Sequence, residues 1–289
     1  MFAITGITGK VGGEVARRLL RSGQPVRAVV RDLAKGEAWK ERGCEVVEAD
    51  IVDAAALASA FSGADGVFVL LPPAFDPTPG FPEAKAIVSA VKSALIDSRP
   101  NKVVALSTIG AQATQTNLLT QLSIMERELA TLPMPVAFLR AGWFMENTSL
   151  DLASARELGV IQSFLQPLDK PVPMVATEDV GRVAAELLQQ DWTGSRIEEL
   201  EGPHRVTPLQ LAATLAKLLG RPVTAQATPR STWETLFRSQ GMRNPLPRMK
   251  MLDGFNEGWI EFESGKDGSH KGSVELETVL RSLVQRDDA

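Results

Sequence analysis

Gly6, Gly9 and Gly12 are spaced three apart in the run Gly6-Ile7-Thr8-Gly9-Lys10-Val11-Gly12, directly after the apolar stretch Phe2-Ala3-Ile4-Thr5. A strand, a turn of small residues and a helix, in that order, let the backbone approach a pyrophosphate closely. The free N–H groups and the positive end of the helix then face its charge. The spacing is Gly-x-x-Gly-x-x-Gly, which differs from the Gly-x-Gly-x-x-Gly of two-domain dehydrogenases. What gives it weight is the strand before and the helix after. Gly6, Thr8, Gly9, Lys10 and Val11 are therefore candidate phosphate-binding residues, with Lys10 either a second cation or a surface lysine of the first helical turn.

The next candidates stand at the ends of later apolar runs. The second run closes on Val29-Val30-Arg31-Asp32. At this point an acid would hold a ribose 2′-hydroxyl, as in NAD(H), and an arginine would accept the 2′-phosphate of NADP(H). Arg31 comes first, which favours NADP(H); Asp32 keeps NAD(H) open. Asp50 ends the third run, where it can accept from an adenine amino group or cap the following helix, although Asp53 is better placed to cap. Leu70, Leu71 and Pro72 end the fourth run and would line a cofactor cleft with apolar surface.

Other chemistries are excluded by what is missing. The chain has no tyrosine, two histidines (His204 and His270) and one cysteine, Cys44. A His/Cys metal cluster has too few ligands. No Gly-x-Ser-x-Gly elbow is present, and neither histidine sits where it would activate a serine. Cys44 reads as a small buried hydrophobe. One cysteine makes no intramolecular disulfide, in keeping with a cytoplasmic protein.

The elements that must position these residues follow from periodicity. Val11, Val15 and Leu19 recur every four residues, with Ala16 and Leu20 beside them, as the buried stripe of a helix that Gly23 ends. Strands are predicted over Val26–Val30, Glu45–Ala49, Gly66–Leu71, Lys102–Leu106 and Val136–Leu139. Helices are predicted over Ala54–Phe61, Glu83–Ile96 and Asn117–Ala130. Near-continuous apolar strands separated by helices imply an α/β fold, a doubly wound parallel sheet of Rossmann type covered on both faces. The pattern changes near residue 150. Short strands are expected over Val160–Leu165 and Pro171–Val175, and a helix over Glu178–Gln190. Thr207-Pro208-Leu209-Gln210 is a capping box with proline at the first helical position, and Gly220 closes that helix. The tail from about Ser231 reads as helical and irregular. The division predicted is a nucleotide-binding domain over 1–150 and a smaller α+β domain over 151–289, with about 176–202 packing back on the first. Arg238, Arg243, Arg248 and Lys250 lie in an acid-free segment, which suits a solvated loop or a docking patch for a partner or an anionic substrate.

Over 289 residues, 31 Lys+Arg stand against 35 Asp+Glu, a net charge of −4. That balance carries no basic footprint for direct nucleic-acid binding. No apolar stretch approaches the ~18 residues of a membrane span.

With these residues in view, the chain resembles the NmrA-like family of atypical short-chain dehydrogenase/reductases, which includes type 2 quinone reductases and NADP-sensing regulators. Beyond Gly6–Gly12 and Val29–Asp32, the resemblance rests on Leu106-Ser107-Thr108-Ile109-Gly110, on Leu139-Arg140-Ala141-Gly142-Trp143-Phe144-Met145-Glu146-Asn147, on Pro173–Leu188 and on Leu200-Glu201-Gly202-Pro203. It implies a Rossmann domain with a smaller C-terminal substrate domain and a cleft between them. It also implies that Ser107, Gly142 and Trp143 lie near the nicotinamide. Classical short-chain reductases use a Tyr-x-x-x-Lys pair as proton donor. This chain has no tyrosine for it, and Gln121 falls where the lysine would sit.

The resemblance implies an NAD(P)H-dependent oxidoreductase that passes a hydride to a quinone or quinone-like small aromatic acceptor. Such acceptors need less acid assistance than a ketone. Trp143 and Phe144 would stack on the ring, Gln121 or Asn147 would polarise an oxygen, and Phe75 and Trp233 are further candidates for the aromatic wall. Two alternatives share the cleft. One is a non-catalytic NADP(H) sensor that signals through a protein partner. The other is a tailoring enzyme for an aromatic secondary metabolite such as a polyketide. A monomer and a homodimer are equally compatible with the sequence.

Overall fold

The computed structural model describes residues 1–265 and 268–287. The first half alternates strand and helix: β1 (Phe2–Thr5), α1 (Lys10–Arg21), β2 (Val26–Val30), α2 (Glu37–Lys40), β3 (Glu45–Glu48), α3 (Ala54–Phe61), β4 (Gly66–Leu70), α4 (Pro82–Ser98), β5 (Val103–Thr108), α5 (Thr120–Leu129) and β6 (Val136–Ala141). Then follow β7 (Trp143–Phe144), α6 (Leu152–Glu157), β8 (Val160–Ser163), β9 (Met174–Val175), α7 (Thr177–Leu188), β10 (Ser195–Glu201), α8 (Pro208–Leu219), β11 (Thr224–Ala227), α9 (Trp233–Ser239), α10 (Leu246–Glu257), β12 (His270–Lys271) and α11 (Leu276–Asp287).

Eight parallel strands form one sheet in the order β12-β10-β6-β5-β4-β1-β2-β3. The order reverses between β1 and β4, and a ligand crevice in such sheets opens at that switch point, beyond the carboxyl ends of the strands. Helices α1 and α7 cover one face, and α3, α4 and α5 the other. Gly181 of α7 lets this helix lie against α1, since a Cβ there would come within 2.5 Å of the Glu14 Cβ. A further apolar cluster, with Met145, Leu165, Leu215, Trp233, Phe255 and Leu280 among its members, gathers most of the chain beyond residue 145.

Three departures from the sequence expectations have local causes. Helix α5 begins at Thr120 rather than Asn117, because Asn117 folds into its own turn and its Oδ1 accepts from the Leu119 N–H at 2.7 Å. Strand β5 runs two residues beyond Leu106, since Ser107 and Thr108 stay in register with Arg140 and Ala141. The largest is β10, a seven-residue strand that the sequence reading did not contain. Its sequence, Ser-Arg-Ile-Glu-Glu-Leu-Glu, carries too many charges to read as a buried strand. The acids are buried because the tail supplies their partners. Glu199 accepts from the backbone N–H groups of Glu263 (2.8 Å) and Ser264 (3.0 Å). Glu201 pairs with Arg205 at 2.8 Å and takes the Ser269 hydroxyl and the Lys271 ammonium. Both carboxyls are held below the usual carboxylate range, because these partners outweigh the burial that opposes ionisation. Helix α8 matches its sequence signature: Thr207 and Gln210 form the reciprocal capping box, and Gly220 takes the left-handed conformation at φ 64°.

Candidate functional site

The turn between β1 and α1 is built by its glycines in three different ways. Gly6 adopts φ +61°, a region that side chains disfavour. Gly12 lies against the Gly6 backbone, and any Cβ there would overlap the Gly6 carbonyl oxygen. Gly9 is the N-cap of α1, with extended backbone and no side-chain cap. A Cβ on Gly9 would meet only the Gly6 oxygen, at 3.2 Å, so the space in front of it is open. The first-turn N–H groups of Lys10 and Val11 have no intrahelical acceptor. Thr8 and Lys10 are exposed, whereas the Val11 side chain is buried in the helix stripe. An uncapped helix N-terminus behind an open glycine surface fits a pyrophosphate.

The neighbouring strand ends share this rim. Leu70, the last residue of β4, packs under the turn, with its methyl groups where a Gly6 Cβ would stand. Leu71 is half-buried, and Pro72 is exposed beyond it. At the end of β2, Asp32 is committed: its Oδ1 accepts from the Ala34 N–H at 3.0 Å as the cap of a short 3-10 turn. Arg31 is exposed and has no ion-pair partner among the described residues. A free arginine beside an occupied acid fits a 2′-phosphate better than a 2′-hydroxyl. Asp50 is exposed, with Oδ1 closing a turn on the Val52 N–H at 3.1 Å, while Asp53 caps α3 through the N–H groups of Ala55 and Ala56.

The other side of the crevice is organised differently. The Ser107 hydroxyl donates to Glu126 of α5, whose two oxygens also accept from Arg140 at 2.9 and 2.7 Å. Arg140 reaches Glu263 at 2.8 Å and Glu199 at 3.6 Å. It is 4% exposed, and burial opposes its charge, yet Glu126 and Glu263 hold its pKa above the ordinary arginine value. Ser107 therefore serves this ion cluster. Gln121 is likewise engaged: its Nε2 donates to the carbonyls of Ala74 (3.1 Å) and Leu118 (3.0 Å). It ties α5 to the β4–α4 loop. The same loop is fastened at Asp76, which accepts from the N–H groups of Arg243 (2.9 Å) and Asn244 (2.6 Å), and these bonds hold its pKa low. Between the two anchors, Phe75 is 60% exposed.

The Gly142–Asn147 stretch differs from a loop wrapped round a ring. Gly142 and Trp143 continue extended: the Gly142 N–H donates to the Leu200 carbonyl and the Trp143 N–H to the Pro173 carbonyl, both at 2.9 Å. Gly142 is small because a Cβ would come within 2.6 Å of the Pro173 oxygen. Trp143 and Phe144 then point to opposite sides, as neighbours on a strand must. Trp143 meets Phe255 edge-on at 5.3 Å in the C-terminal cluster, whereas Phe144 packs on the sheet cluster under α1 and α7. The two rings do not form one wall. Asn147 is exposed in a 3-10 turn over Met145–Asp151. Trp233 leaves the site altogether: it is fully buried, its Nε1 donates to the Thr228 carbonyl at 2.8 Å, and Phe164 packs edge-on against it at 5.6 Å. A cavity of about 390 Å³ lined by Phe2, Lys102 and Leu188 lies at the amino ends of the strands, away from the glycine turn.

Two groups were invisible in the sequence reading. One is the Glu126–Arg140 cluster, whose arginine falls within an otherwise apolar strand, the only local signal. The other is Asp151, half-buried with no hydrogen-bond or ion-pair partner among the described residues, and pushed up to about 6 by burial.

A 3-2-1-4-5-6 parallel sheet with an uncapped glycine turn at its switch point defines a dinucleotide-binding protein of Rossmann type. Residues 1–267 match the model of the NmrA-like family, and the chain belongs to that family. It is 29% identical over 252 residues to quinone oxidoreductase 2 of Escherichia coli K12, covering 86% of this chain and 85% of the relative. It is 28% identical over 248 residues to an NAD(P)H azoreductase of Xenophilus azovorans, covering 85% and 83%. In three dimensions it resembles the Escherichia coli NADPH-dependent quinone oxidoreductase solved with NADPH, with a TM-score of 0.81, 25% identity, and 99% and 100% of the two chains covered.

Proposed function

We propose that the chain is an NADPH-dependent reductase of quinone-like aromatic acceptors. The observation that carries this reading is the open, uncapped Gly9 turn facing the switch point, with the unpaired Arg31 at the next strand end. Its relatives include a quinone oxidoreductase and an azoreductase, proteins named for electron-poor, conjugated acceptors. Gly6, Thr8, Gly9 and the N–H groups of Lys10 and Val11 would hold the pyrophosphate, and Arg31 the 2′-phosphate. Bound there, the dinucleotide supplies the hydride.

The chain's own residues orient the reactants and keep the site dry. Trp143 is held by Phe255, and Phe75 is presented on a loop anchored at both ends. Gln121 acts as a positioning residue, since its amide protons are spent on backbone carbonyls. Ser107 is bound to Glu126, so neither side chain is a free proton donor. After hydride transfer the hydroquinone anion takes its one remaining proton from water without such a donor. The crevice lies between the carboxyl rim of the sheet and the portion of the chain beyond residue 151, which we read as the substrate domain of a cytoplasmic enzyme.

A second reading, an NADP(H) sensor without turnover, draws on the same engaged Ser107 and Gln121. Anaerobic mixing of NADPH with a panel of naphthoquinones and benzoquinones distinguishes the two. The expected result is NADPH oxidation with at least one quinone. Tight NADPH binding with none oxidised would overturn the enzyme reading in favour of the sensor.

A further inference from the structure

The acid-free segment from Arg238 to Lys250 resolves into four different cations. Arg238 pairs with Glu234 at 2.9 Å, Arg243 lies 3.5 Å from Asp76, and Lys250 is exposed. Arg248 is unlike them. It is half-buried on α10, its guanidinium carbon lies 4.5 Å over the Phe237 ring and 6.0 Å from the Phe164 ring, and it makes no hydrogen bond or ion pair with any described residue. Among the half-buried and buried arginines, Arg27, Arg140, Arg182, Arg196 and Arg205 each have a carboxylate between 2.7 and 3.3 Å away, and Arg156 donates to the Val284 carbonyl at 2.9 Å. Burial alone holds the Arg248 pKa below the ordinary arginine value, because no acid offsets it. An aromatic face recovers part of the lost hydration of a guanidinium, but it offers no directed acceptor, so the five N–H donors remain open to a ligand.

The position of Arg248 connects this cation to the crevice. Helix α10 starts at the rim: the carbonyl of Pro247 accepts from the Leu118 N–H at 2.9 Å, and the Asn244 side chain donates to the Pro77 carbonyl of the Phe75 loop at 2.9 Å. Phe255, which meets Trp143, follows Arg248 by seven residues, two turns along the same helix face. The backbone positions of Arg248 and Phe255 are therefore roughly 10 Å apart along that face.

Resting on the reading of the crevice as an acceptor site, we propose that Arg248 is the anchor for an anionic substituent of the acceptor. A planar carboxylate, sulfonate or phosphate would accept its fork of donors, while the conjugated ring extends toward Trp143. The substrate class becomes an electron-poor aromatic with an acidic group about one ring system away from the reducible bond. Arg248 then sets specificity through binding and takes no part in proton or hydride transfer.

The test separates binding from turnover. NADP⁺-saturated protein is titrated by calorimetry with naphthalene-2-sulfonate and with neutral naphthalene-2-methanol. The expected result is a preference of at least tenfold for the sulfonate, abolished in Arg248→Gln and partly retained in Arg248→Lys, with unchanged NADP⁺ affinity in both variants. If Arg248 were only a packing residue, Arg248→Gln would lower the melting temperature and keep the wild-type ligand preference. That result, or no sulfonate preference in the wild type, would overturn the proposal. The wild-type comparison and Arg248→Lys decide the matter even where Arg248→Gln does not fold. In parallel, NADPH oxidation is followed with 1,4-naphthoquinone-6-sulfonate and 1,4-naphthoquinone. A sulfonate preference without oxidation of either quinone would keep the Arg248 site and reject the reductase reading. Oxidation of both without a preference would do the reverse.

Discussion

The two sides of the crevice solve the problem of holding a ligand in opposite ways. The side formed by the ends of β1, β2 and β3 is poor in side chains. It offers backbone N–H groups, an open glycine surface and one unpaired arginine, and its acids Asp32, Asp50 and Asp53 are used up in local caps and turns. The side formed by the ends of β5, β6 and β10 is dense with charge, but nearly all of that charge is satisfied internally, as in the Ser107–Glu126–Arg140–Glu263 cluster. The first side is preorganised for one invariant ligand. On the reading proposed above, the second is a rigid frame whose specificity is left to a few groups, namely Phe75, Trp143 and Arg248.

That contrast can be broken most forcefully at Arg140. Arg140→Leu leaves Glu126 and Glu199 without their shared buried cation and should lower stability by about 3–5 kcal/mol in urea unfolding. A loss below ~1 kcal/mol would mean that the frame is not held by charge. On the nucleotide side, Gly9→Val should keep the fold and weaken NADPH binding by about 3 kcal/mol, some two decades in Kd, because its Cβ meets only the Gly6 oxygen, at 3.2 Å, and the rest of the side chain enters the open surface. Gly12→Ala should do the opposite, costing roughly 1–3 kcal/mol of stability by overpacking against Gly6. Circular dichroism with cofactor titration checks both, and equal behaviour of the two variants would refute the division of labour between the glycines. Arg31→Ala should remove about 1.5–3 kcal/mol from NADPH binding and leave NADH binding unchanged.

The smallest expected effect concerns Asp151. Its folded pKa, about 6, lies above the ordinary 3.8, so the folded chain holds this proton more tightly than the unfolded chain does. The resulting penalty is absent below about pH 4, grows as pH rises, and is complete above about pH 6. Asp151→Asn should therefore stabilise the protein by about 1–2 kcal/mol at pH 8, after allowing for partial solvent contact, and leave it unchanged near pH 4. Melting curves at the two pH values show whether the gain has this sign.

The elements legible in the sequence are those whose determinants are local. A glycine spacing, a strand end and a capping box each lie within a few residues, as at Gly6–Gly12, Val29–Asp32 and Thr207–Gln210. The acceptor side was less legible, because its determinants are separated along the chain. Glu199 is satisfied by Glu263 and Ser264, and Glu201 in part by Ser269 and Lys271, sixty to seventy positions later, so the sequence alone assigns no strand to the run that forms β10. Gln121 was placed correctly on α5, but its partner Ala74 lies across a crossover, which a linear reading cannot supply. Trp233 shows a further limit. Residue type marks a large aromatic for burial or for a ligand, and only its surroundings decide between them.

The tail that satisfies Glu199, Glu201 and Asp179 also sets an order of assembly. Ser273 and Val274 donate their N–H groups to Asp179 at 2.9 and 2.8 Å, and β12 adds the last strand beside β10. A chain emerging from the ribosome makes β10 and α7 well before it makes these donors. Until they arrive, Asp179, Glu199 and Glu201 have only their arginine partners Arg182, Arg140 and Arg205. The glycine turn and the caps at Asp32 and Asp53 close on residues nearby in the chain, so residues 269–274 act as a late latch on the far flank of the sheet.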